Sequence, residues 1–484
     1  MTYLGLIDRY ALSDELSMSL AYLTGQVCVA AIGSEAGSYD ASGMLVSTCK
    51  LNSGLTMENS SAPPLNSLTL ADPKVQQNPY PYYARLRAED PVHFDERIRM
   101  WLVTRHEDIV AVARNTTVYS DEMKVSAAIR SPFQAEVDEH MKREGFMLLD
   151  PADSFKVDGD LHLRRRKLVA SAFAGPAVAA MEARVSGICK DLVATLIERD
   201  QVDLVKELAM PVPILVICDF LGLPMDRVDE ISRGADSMVA QIGASSNREQ
   251  AFQHAENVMQ LHRFVRQAIE ERRITPSNDL ISGLVHARLD DDPATPKLTD
   301  RELMSIATVA IAGGVDTTRN GIAFALHALA TRPDLLARLR DSKEQDKEIG
   351  RFCEEVLRFY SPVPTLPRVA KEETQLGGKT IPQGAMVFLC WASGNRDAQR
   401  FPDPDKFDID RPASTQHLAF GVGVHFCLGA MLARQEMKCV VKQIVNSVES
   451  LELAVTPDQL DLSNSMIILR GLKSLPVRLR KRAA

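Results

Sequence analysis

The chain has 484 residues, of which 45% are hydrophobic and 25% are charged, as in an ordinary soluble globular protein. Its net charge of −8 is modest for this length and gives no indication of nucleic-acid binding. The eight cysteines form no CxxC pair, which argues against a structural zinc site and a secreted disulfide framework and favours the reducing cytoplasm.

The first 66 residues differ in composition from the rest of the chain. They are rich in Ser, Gly and Ala and predict a disordered leader, while a translation start at Met57 is a second interpretation. The apolar stretch from Ser19 to Ile32 follows acidic residues and is shorter than the roughly 20 residues of a membrane span. We therefore expect no signal peptide and no membrane anchor, and we expect residues 67–484 to form one domain.

Helix and hairpin patterns open this domain. The sequence predicts a helix over Tyr80–Ala88, short strands over Val92–Phe94 and Met100–Val103, and a helix over His106–Arg114. Residues 116–160 lack periodicity, and a loop of that length is usually functional. Its apolar side chains either line a pocket or pack the loop onto the core, and the sequence leaves both interpretations open for Met123, Ile129, Phe133, Phe146 and Met147.

A basic helix follows this loop. His162 and Arg166 lie four residues apart in a helical run that extends to Ala174, so they share one face. The ordinary interpretation of such a pair is a solvated basic surface. Further helical runs come next, and none has a pattern that indicates chemistry: Ala177–Arg199, Val205–Leu221, Glu249–Arg273 and Asp279–Leu289.

The longest helical pattern runs from Thr299 to about Thr331. Thr299 and Glu302 predict a capping box, and a helix of this length would span about 50 Å. Its middle reads A-G-G-V-D-T-T, from Ala312 to Thr318. Adjacent glycines and back-bonding hydroxyls weaken a helix locally, so this segment is either a tolerated kink or a groove where the helix opens beside a bound molecule.

Two shorter patterns follow the long helix. Glu355 and Arg358 lie three residues apart on one helical face, where an exposed pair would contribute only a few tenths of a kcal/mol. The run S-P-V-P-T-L-P-R, from Ser361 to Arg368, predicts extended backbone because its prolines disfavour the helical region for the residues before them.

The loop from Phe420 to Gly429 reads F-G-V-G-V-H-F-C-L-G and precedes a helical run. Its glycines allow a tight turn in which backbone N–H groups and a helix N-terminus would favour a thiolate at Cys427. Such a thiolate suits a soft metal centre, and haem iron can be held by a single cysteine. A buried, unreactive cysteine and a nucleophilic cysteine are the alternatives.

The spacing F-G-x-G-x-H-x-C-x-G resembles the haem-ligand signature of the cytochrome P450 family. The motifs H-x-x-x-R, A-G-G-V-D-T, E-x-x-R and F-P-D-P-D-K-F-D precede it in the order of that family. The resemblance covers about residue 68 to the end and is to the soluble, bacterial-type branch. It implies a mainly α (α+β) fold, with one helix-rich domain, a small β region, and haem between the long helix and the cysteine loop.

The resemblance also implies residue roles. Cys427 would be the axial thiolate of haem b, and His162, Arg166 and Arg368 would bind its propionates. Asp316 and Thr317 would be the acid–alcohol pair that delivers protons to dioxygen, and Arg164 and Arg165 could dock an acidic electron donor. The remaining expectations are cofactor contacts at Phe420, Gly421, His425 and Gly429, a structural cluster of Glu355, Arg358 and Arg411, and substrate contacts at Gly313, Val363, Thr365 and Met466, with Ile467 a weaker candidate.

The implied activity is monooxygenation, in which one oxygen atom from O2 enters a C–H bond of a small hydrophobic substrate. The chain has no flavin or NAD motif, so electrons would come from a separate ferredoxin or similar donor and its reductase. A peroxide-driven relative and a haem-binding sensor or carrier without turnover are the alternatives. The first tends to lack the acid–alcohol pair, and the second would have a blocked distal side or no proton relay.

Overall fold

The structure is a computed structural model that describes residues 63–122, 132–170, 172–240, 247–289, 294–412, 416–462 and 467–483. Residues 1–62, with the alternative start at Met57, lie outside the described residues, as do Met123, Ile129 and Met466. The disordered leader and the domain boundary therefore stay predictions.

Helices dominate the described part of the chain. In chain order they are α1 (Pro73–Gln77), α2 (Tyr80–Glu89), α3 (His106–Arg114), α4 (Gln134–Arg143), α5 (Gly159–Ala170), α6 (Gly175–Ala180), α7 (Glu182–Leu196), α8 (Pro211–Leu221), α9 (Val228–Ala240), α10 (Arg248–Ile274), α11 (Leu280–His286), α12 (Asp300–Thr331), α13 (Pro333–Asp341), α14 (Gln345–Tyr360), α15 (Trp391–Gly394) and α16 (Ala430–Ser447).

The strands form three small sheets. They are β1 (Val92–Asp95), β2 (Met100–Val103), β3 (Tyr119–Ser120), β4 (Gln201–Asp203), β5 (Leu366–Ala370), β6 (Thr374–Leu376), β7 (Lys379–Ile381), β8 (Met386–Leu389), β9 (Val448–Leu453) and β10 (Pro476–Lys481). The largest sheet has the order β1-β2-β8-β5-β3, in which only β2 and β8 pair in parallel. A second sheet has the order β4-β10-β9, and β6 and β7 form a hairpin.

The helix α12 is the centre of the helical region. Thr299 accepts a hydrogen bond from the backbone N–H of Glu302, whose carboxylate accepts one from the Thr299 N–H at 2.8 Å, which is the predicted capping box. The helix has 32 residues, and most of those that face neighbouring helices are apolar and buried. The helices α8, α9, α10, α14 and α16 pack against it. At 1.5 Å per residue the helix is about 48 Å long, as the sequence predicted.

The predicted loop over residues 116–160 is wrong in part. It contains α4, whose Val137 and Met141 lie one turn apart and are both buried. They form an apolar cluster with Phe146 and α10, and Phe133 packs against its edge. This supports the packing interpretation for Phe133 and Phe146. The signal was weak because only two apolar residues repeat in a strongly charged helix.

Four other helices, α6 to α9, also differ from the sequence predictions. The run predicted over 177–199 is split at Met181 into α6 and α7, and the run over 205–221 is split into a π-helical turn and α8, which begins at Pro211. Proline lacks the N–H that a continuous helix needs, so a new helix starts there. The sequence analysis missed α9, where Gly234 lowers helix propensity although Val228, Ile231 and Ala235 are buried.

Candidate active site

A cavity of about 370 Å³ lies between the middle of α12 and the cysteine loop, Phe420–Gly429. Its wall on the α12 side is mainly apolar and is formed by Ile306, Val309, Ala310, Gly313, Gly314, Thr317, Thr318 and Gly321. Val363, Leu366 and Trp391 also line the cavity, and so does Cys427. The cavity therefore brings together the two segments that the sequence analysis singled out.

The cysteine loop is built by glycines and a short backbone contact. Gly421 and Gly423 have φ angles of 69° and 82°, which side chains other than glycine rarely adopt. A Cβ on Gly423 would also lie 3.2 Å from the carbonyl oxygen of Ala113, so α3 packs directly on this turn. The Cys427 N–H donates to the Phe420 carbonyl at 2.9 Å, which closes the loop just before α16.

The predicted N–H donors around Cys427 are present. Desolvation by the surrounding protein raises the pKa of the Cys427 thiol, while the N–H groups of Gly429 and Ala430 and the positive charge of Arg166 lower it less strongly. Cys427 is itself exposed and lines the cavity, where a ligand can reach its sulfur. A bound metal would hold the thiolate because it competes directly with the proton for sulfur.

Four basic residues, His162, Arg166, Arg368 and His425, line the cavity together, and we call them the cationic cluster after the two arginines. The rings of His162 and His425 are 4.1 Å apart between centroids. Burial lowers the pKa of both imidazoles, that of His162 to about 4, so the histidines are neutral at pH 7. Within the described residues, Nε2 of His162 and Nε2 of His425 are buried without a hydrogen-bond partner. Buried polar atoms normally have partners, so these two nitrogen atoms fit an anionic group that would enter the cavity.

The cationic cluster also contains residues that sequence analysis missed. Arg368 on β5 donates from Nη1 to Oδ1 of Asp121 at 2.6 Å, and Lys156 Nζ lies 3.1 Å from Oδ2 of the same carboxylate. Asp121 and Lys156 both line the cavity. Trp391 and Glu436 were missed as well, and both line the cavity with a buried polar atom that has no partner among the described residues.

The middle of α12 remains helical across the A-G-G-V-D-T-T segment, so the predicted opening of the helix is not seen. The Thr317 hydroxyl lines the cavity and donates to the Gly313 carbonyl at 2.7 Å. Asp316 is buried, and its Oδ1 lies 3.1 Å from Nη1 of Arg319. The acid and the alcohol are thus adjacent, but only the alcohol lines the cavity.

A second polar group, the Glu355 cluster of Glu355, Arg358 and Arg411, lies in the interior. Arg358 donates twice to the Glu355 carboxylate at 2.7 Å and also donates to the carbonyls of Asn395, Pro404 and Lys406. Arg411 Nε lies 3.5 Å from Glu355 Oε2. The structure therefore brings all three predicted residues together.

Several predicted substrate contacts have different positions. Val363 and Gly313 line the cavity, whereas Thr365 is fully buried and donates to the Ile467 carbonyl at 2.9 Å. The prediction for Thr365 is wrong because this hydroxyl satisfies a backbone carbonyl away from the cavity. Ile467 packs against the cluster around α2 and is not part of the lining, and Met466 lies outside the described residues.

The two arginines expected to dock an electron donor are structural. Arg164 donates to Glu302 at 2.9 Å and to the carbonyl of Thr295, and Arg165 donates to Glu302 at 2.8 Å. Arg165 is also buried. Both side chains therefore tie α5 to the start of α12, and the docking prediction is wrong for them.

The donor set around the cavity fits a haem group, because the lining contains one cysteine together with imidazole and guanidinium groups. The model of the Cytochrome P450 family matches residues 114–470. The chain belongs to the cytochrome P450 family. The family resemblance of the sequence motifs is thereby confirmed, and the family implies a haem-thiolate iron site.

Known cytochromes P450 resemble the chain over most of its length. It is 33% identical over 423 residues to cytochrome P450 107B1 of Saccharopolyspora erythraea, with 84% of this chain and 96% of that protein covered. It is 34% identical over 422 residues to the vitamin D(3) 25-hydroxylase of Pseudonocardia autotrophica, with 84% and 95% covered. The structure of cytochrome P450 CYP109Q5 from Chondromyces apiculatus superimposes with a TM-score of 0.73 at 30% identity and covers 86% of this chain.

These likenesses confirm the predicted helix-rich P450 fold and the class of enzyme, an oxidoreductase of the monooxygenase type. Within the described residues, no single helix of this P450 could cross a membrane, although the bent pair of Gly159–Ala180 and Glu182–Leu196 has sufficient length and apolar composition.

Proposed function

We propose that this cytochrome P450 inserts one oxygen atom from O2 into a C–H bond of a small hydrophobic substrate, using haem b with Cys427 as its axial ligand. The observation that carries the proposal is the lining of one cavity, which brings Cys427 of the cysteine loop together with Thr317 and Gly313 of α12 among mainly apolar side chains.

Several residues would hold the haem. His162, Arg166, Arg368 and His425 would bind the propionates, and the unpaired Nε2 atoms of both histidines support this role. Contacts with the ring would come from the cysteine loop, through Phe420, Gly421 and Gly429. Bound haem supplies the activation of dioxygen, and a cysteine thiolate ligand favours O–O cleavage.

Asp316 and Thr317 would supply protons on the α12 side of the cavity. The Thr317 hydroxyl can turn from the Gly313 carbonyl toward a water or substrate oxygen in the cavity, because it makes only a local hydrogen bond to its own helix. Asp316 lies beside it and is held by Arg319, so it is placed to connect Thr317 with a source of protons.

The substrate would be hydrophobic because apolar side chains dominate the α12 wall. Two relatives, the vitamin D(3) 25-hydroxylase and the 6-deoxyerythronolide B hydroxylase, are named as hydroxylases of organic compounds, which supports a small organic substrate. Electrons would come from a ferredoxin or similar donor, because the sequence has no flavin or NAD motif. A cytoplasmic location belongs to the same proposal and is supported by the scattered cysteines.

The absorption spectrum of the reduced protein with carbon monoxide tests the ligand. The wild type should give the spectrum of a thiolate-bound haem, and Cys427→Ala should abolish it. Turnover is then measured with NADPH, a surrogate ferredoxin and its reductase, across a panel of hydrophobic compounds chosen by the spin-state shift that they cause. A thiolate spectrum without any product or NADPH consumption would support a sensor or carrier instead.

Thr317→Ala tests the proton supply. We expect haem binding to persist, while most of the consumed electrons appear as hydrogen peroxide and not as product. Thr308→Ala is the matched control, because the buried Thr308 makes the same hydrogen bond to a carbonyl four residues earlier in α12. An unchanged product yield in Thr317→Ala would overturn the assigned role, and efficient turnover with peroxide alone would favour the peroxide-driven alternative.

A further inference from the structure

Asp121 is a buried carboxylate between two cations, Arg368 and Lys156, and lines the cavity. Its Oδ1 accepts from Arg368 Nη1 at 2.6 Å, and its Oδ2 lies 3.1 Å from Lys156 Nζ and 3.7 Å from His425 Nδ1. The Asp121 side chain is 6% exposed. The positive charges of Lys156 and Arg368 lower the pKa of the Asp121 carboxyl despite its burial, so it is ionised at neutral pH.

The position of this carboxylate is unusual for the proposed haem site. Arg368 and His425 are two of the residues that would bind haem propionates, and Asp121 already accepts from one donor atom of Arg368, Nη1. A second carboxylate, Asp158, lies 3.7 Å from His425 Nε2. Like charges close together in a buried site repel each other strongly, so a propionate and Asp121 cannot both be paired with Arg368 without cost.

Lys156 has the freedom that such an exchange requires. Its side chain lines the cavity and is 42% exposed, so it can move its charge from Asp121 to a propionate without burying an unpaired cation. Arg368, in contrast, is 4% exposed and is fixed by a further hydrogen bond to the Pro367 carbonyl. Arg368 is therefore held in place, whereas Lys156 can move.

We propose that Asp121 competes with a haem propionate for the same two cations. Asp121 pairs with Arg368 and Lys156 before haem enters, and it remains beside the propionate after haem has bound. Lys156 is then an additional propionate-binding residue. The inference rests on the proposed haem-thiolate function, and it makes Asp121 and Lys156 opposing determinants of haem retention and of the reduction potential.

The direction of each expected change in midpoint potential and haem loss follows from the charge that each variant removes. A negative charge near the iron stabilises the ferric state, and a positive charge stabilises the ferrous state. Asp121→Asn keeps the shape of the side chain and removes its charge, so it should raise the midpoint potential and slow haem loss. Lys156→Met keeps an unbranched apolar stem and removes the positive charge, so it should lower the midpoint potential and speed haem loss.

The test measures the rate of haem transfer to an excess of apomyoglobin and the midpoint potential of the holoprotein. We expect haem loss to be about tenfold slower in Asp121→Asn and about tenfold faster in Lys156→Met, since 1.4 kcal/mol corresponds to a factor of ten. The reduced carbon monoxide spectrum of every variant should remain that of a thiolate ligand.

Two matched control variants are available outside the cavity lining. Lys379→Met removes a lysine that is 45% exposed and lies 3.1 Å from Asp90, the same distance and nearly the same exposure as in the Lys156 pair. Asp279→Asn removes the charge of a carboxylate that is 5% exposed and paired with Arg272 at 2.5 Å. Both should leave the potential and the haem-loss rate unchanged.

Two results would overturn the inference. If Asp121→Asn loses haem faster than the wild type, Asp121 supports the binding of haem and does not compete with it. If neither Asp121→Asn nor Lys156→Met shifts the potential beyond its control, the pair does not face a propionate. A wild type with no thiolate spectrum would instead refute the proposed function, so the two failures are distinguishable.

Discussion

Two buried groups of charged residues in this P450 differ in how completely the protein satisfies them. In the Glu355 cluster, Arg358 donates to five acceptors in the protein, two on Glu355 and three on backbone carbonyls. In the cationic cluster, two buried imidazole nitrogens have no partner among the described residues. In the first group the polypeptide satisfies every donor of Arg358, and the one buried atom without a hydrogen-bond partner, Nε of Arg411, lies 3.5 Å from the Glu355 carboxylate. The second group leaves two imidazole nitrogens at the cavity that a cofactor would complete.

The comparison separates a structural motif from a binding site by physical criteria. A guanidinium has five N–H donors, and Arg358 uses all of them within the protein, which leaves none for a ligand. The same sequence analysis found both groups by motif, and only the hydrogen-bond partners tell them apart. Variants in the two groups should therefore have different effects on the apoprotein and on haem binding.

The largest effect should come from Arg358→Met. Without Arg358, the buried Glu355 carboxylate keeps only two partners among the described residues, the N–H of Asp408 at 2.8 Å and the more distant Arg411 at 3.5 Å. Loss of its main partner costs about 3–5 kcal/mol of the free energy of unfolding. Urea unfolding of the apoprotein should show this loss, or the variant should fail to accumulate in folded form. Glu355→Gln is the milder second variant, because it retains one oxygen acceptor for Arg358.

Arg338→Met is the control for that loss. Arg338 also pairs with two carboxylates, Glu348 and Asp410, but its side chain is 37% exposed. Exposed ion pairs contribute about 0–1 kcal/mol, so the free energy of unfolding should change by no more than that. Equal losses in Arg358→Met and Arg338→Met would contradict the view that the Glu355 cluster is a buried structural unit.

The second-largest effect should be on the pH dependence of stability, and it should come from His262, a buried histidine outside both groups. Burial lowers the pKa of His262 to about 4, from 6.5 in the unfolded chain. The unfolded chain then binds more protons, so stability is present above pH 6.5 and is lost as the pH falls toward 4. Between pH 7 and pH 5 the wild type should lose about 2 kcal/mol through this residue.

His262→Gln should therefore lose about 2 kcal/mol less than the wild type over that interval, as measured by urea unfolding of the apoprotein at both pH values. An identical pH dependence would mean that His262 is solvated or paired when protonated. This variant sharpens the comparison because a low pKa occurs at His262 in the helical core as well as at His162 in the cationic cluster. A shifted pKa alone therefore does not identify the cofactor site.

The sequence predicted those parts of the site that lie in short local motifs. The cysteine loop, the Asp316–Thr317 pair and the pair of Glu355 and Arg358 each fall within ten residues, so their spacing carries the signal. Asp121 lies 247 positions from Arg368 and 35 from Lys156, and no local pattern could connect them. Thr365 fails for a related reason, because its acceptor is a carbonyl about 100 positions away that only the folded chain brings near.

The helices likewise were predicted where the local sequence pattern is strong and missed where long-range packing stabilises them. The helix α12 has a capping box and a long apolar pattern, and its ends agree with the prediction to within one residue. The helix α4 has few apolar positions, whereas Gly234 lowers the helix propensity of α9, and both helices pack against α10. Periodicity identifies a helix when its buried face is broad, and it misses a helix whose narrow buried face is matched by a neighbour far along the chain.

The smallest effect should come from His162→Phe, which tests the incomplete group directly. Phenylalanine retains the ring contact with His425, whose centroid is 4.1 Å away, and removes a buried nitrogen that has no partner among the described residues. The apoprotein should therefore be as stable as the wild type or more so, because the desolvation cost of Nε2 disappears.

The holoprotein should change in the opposite direction. Loss of one hydrogen bond to a propionate should speed haem transfer to apomyoglobin by about tenfold, which corresponds to 1.4 kcal/mol. Arg358→Met should instead weaken the apoprotein itself, so the two variants should lie at opposite corners of a plot of apoprotein stability against haem retention. If His162→Phe destabilises the apoprotein and leaves haem loss unchanged, His162 is a structural residue and the distinction between the two groups fails at this position.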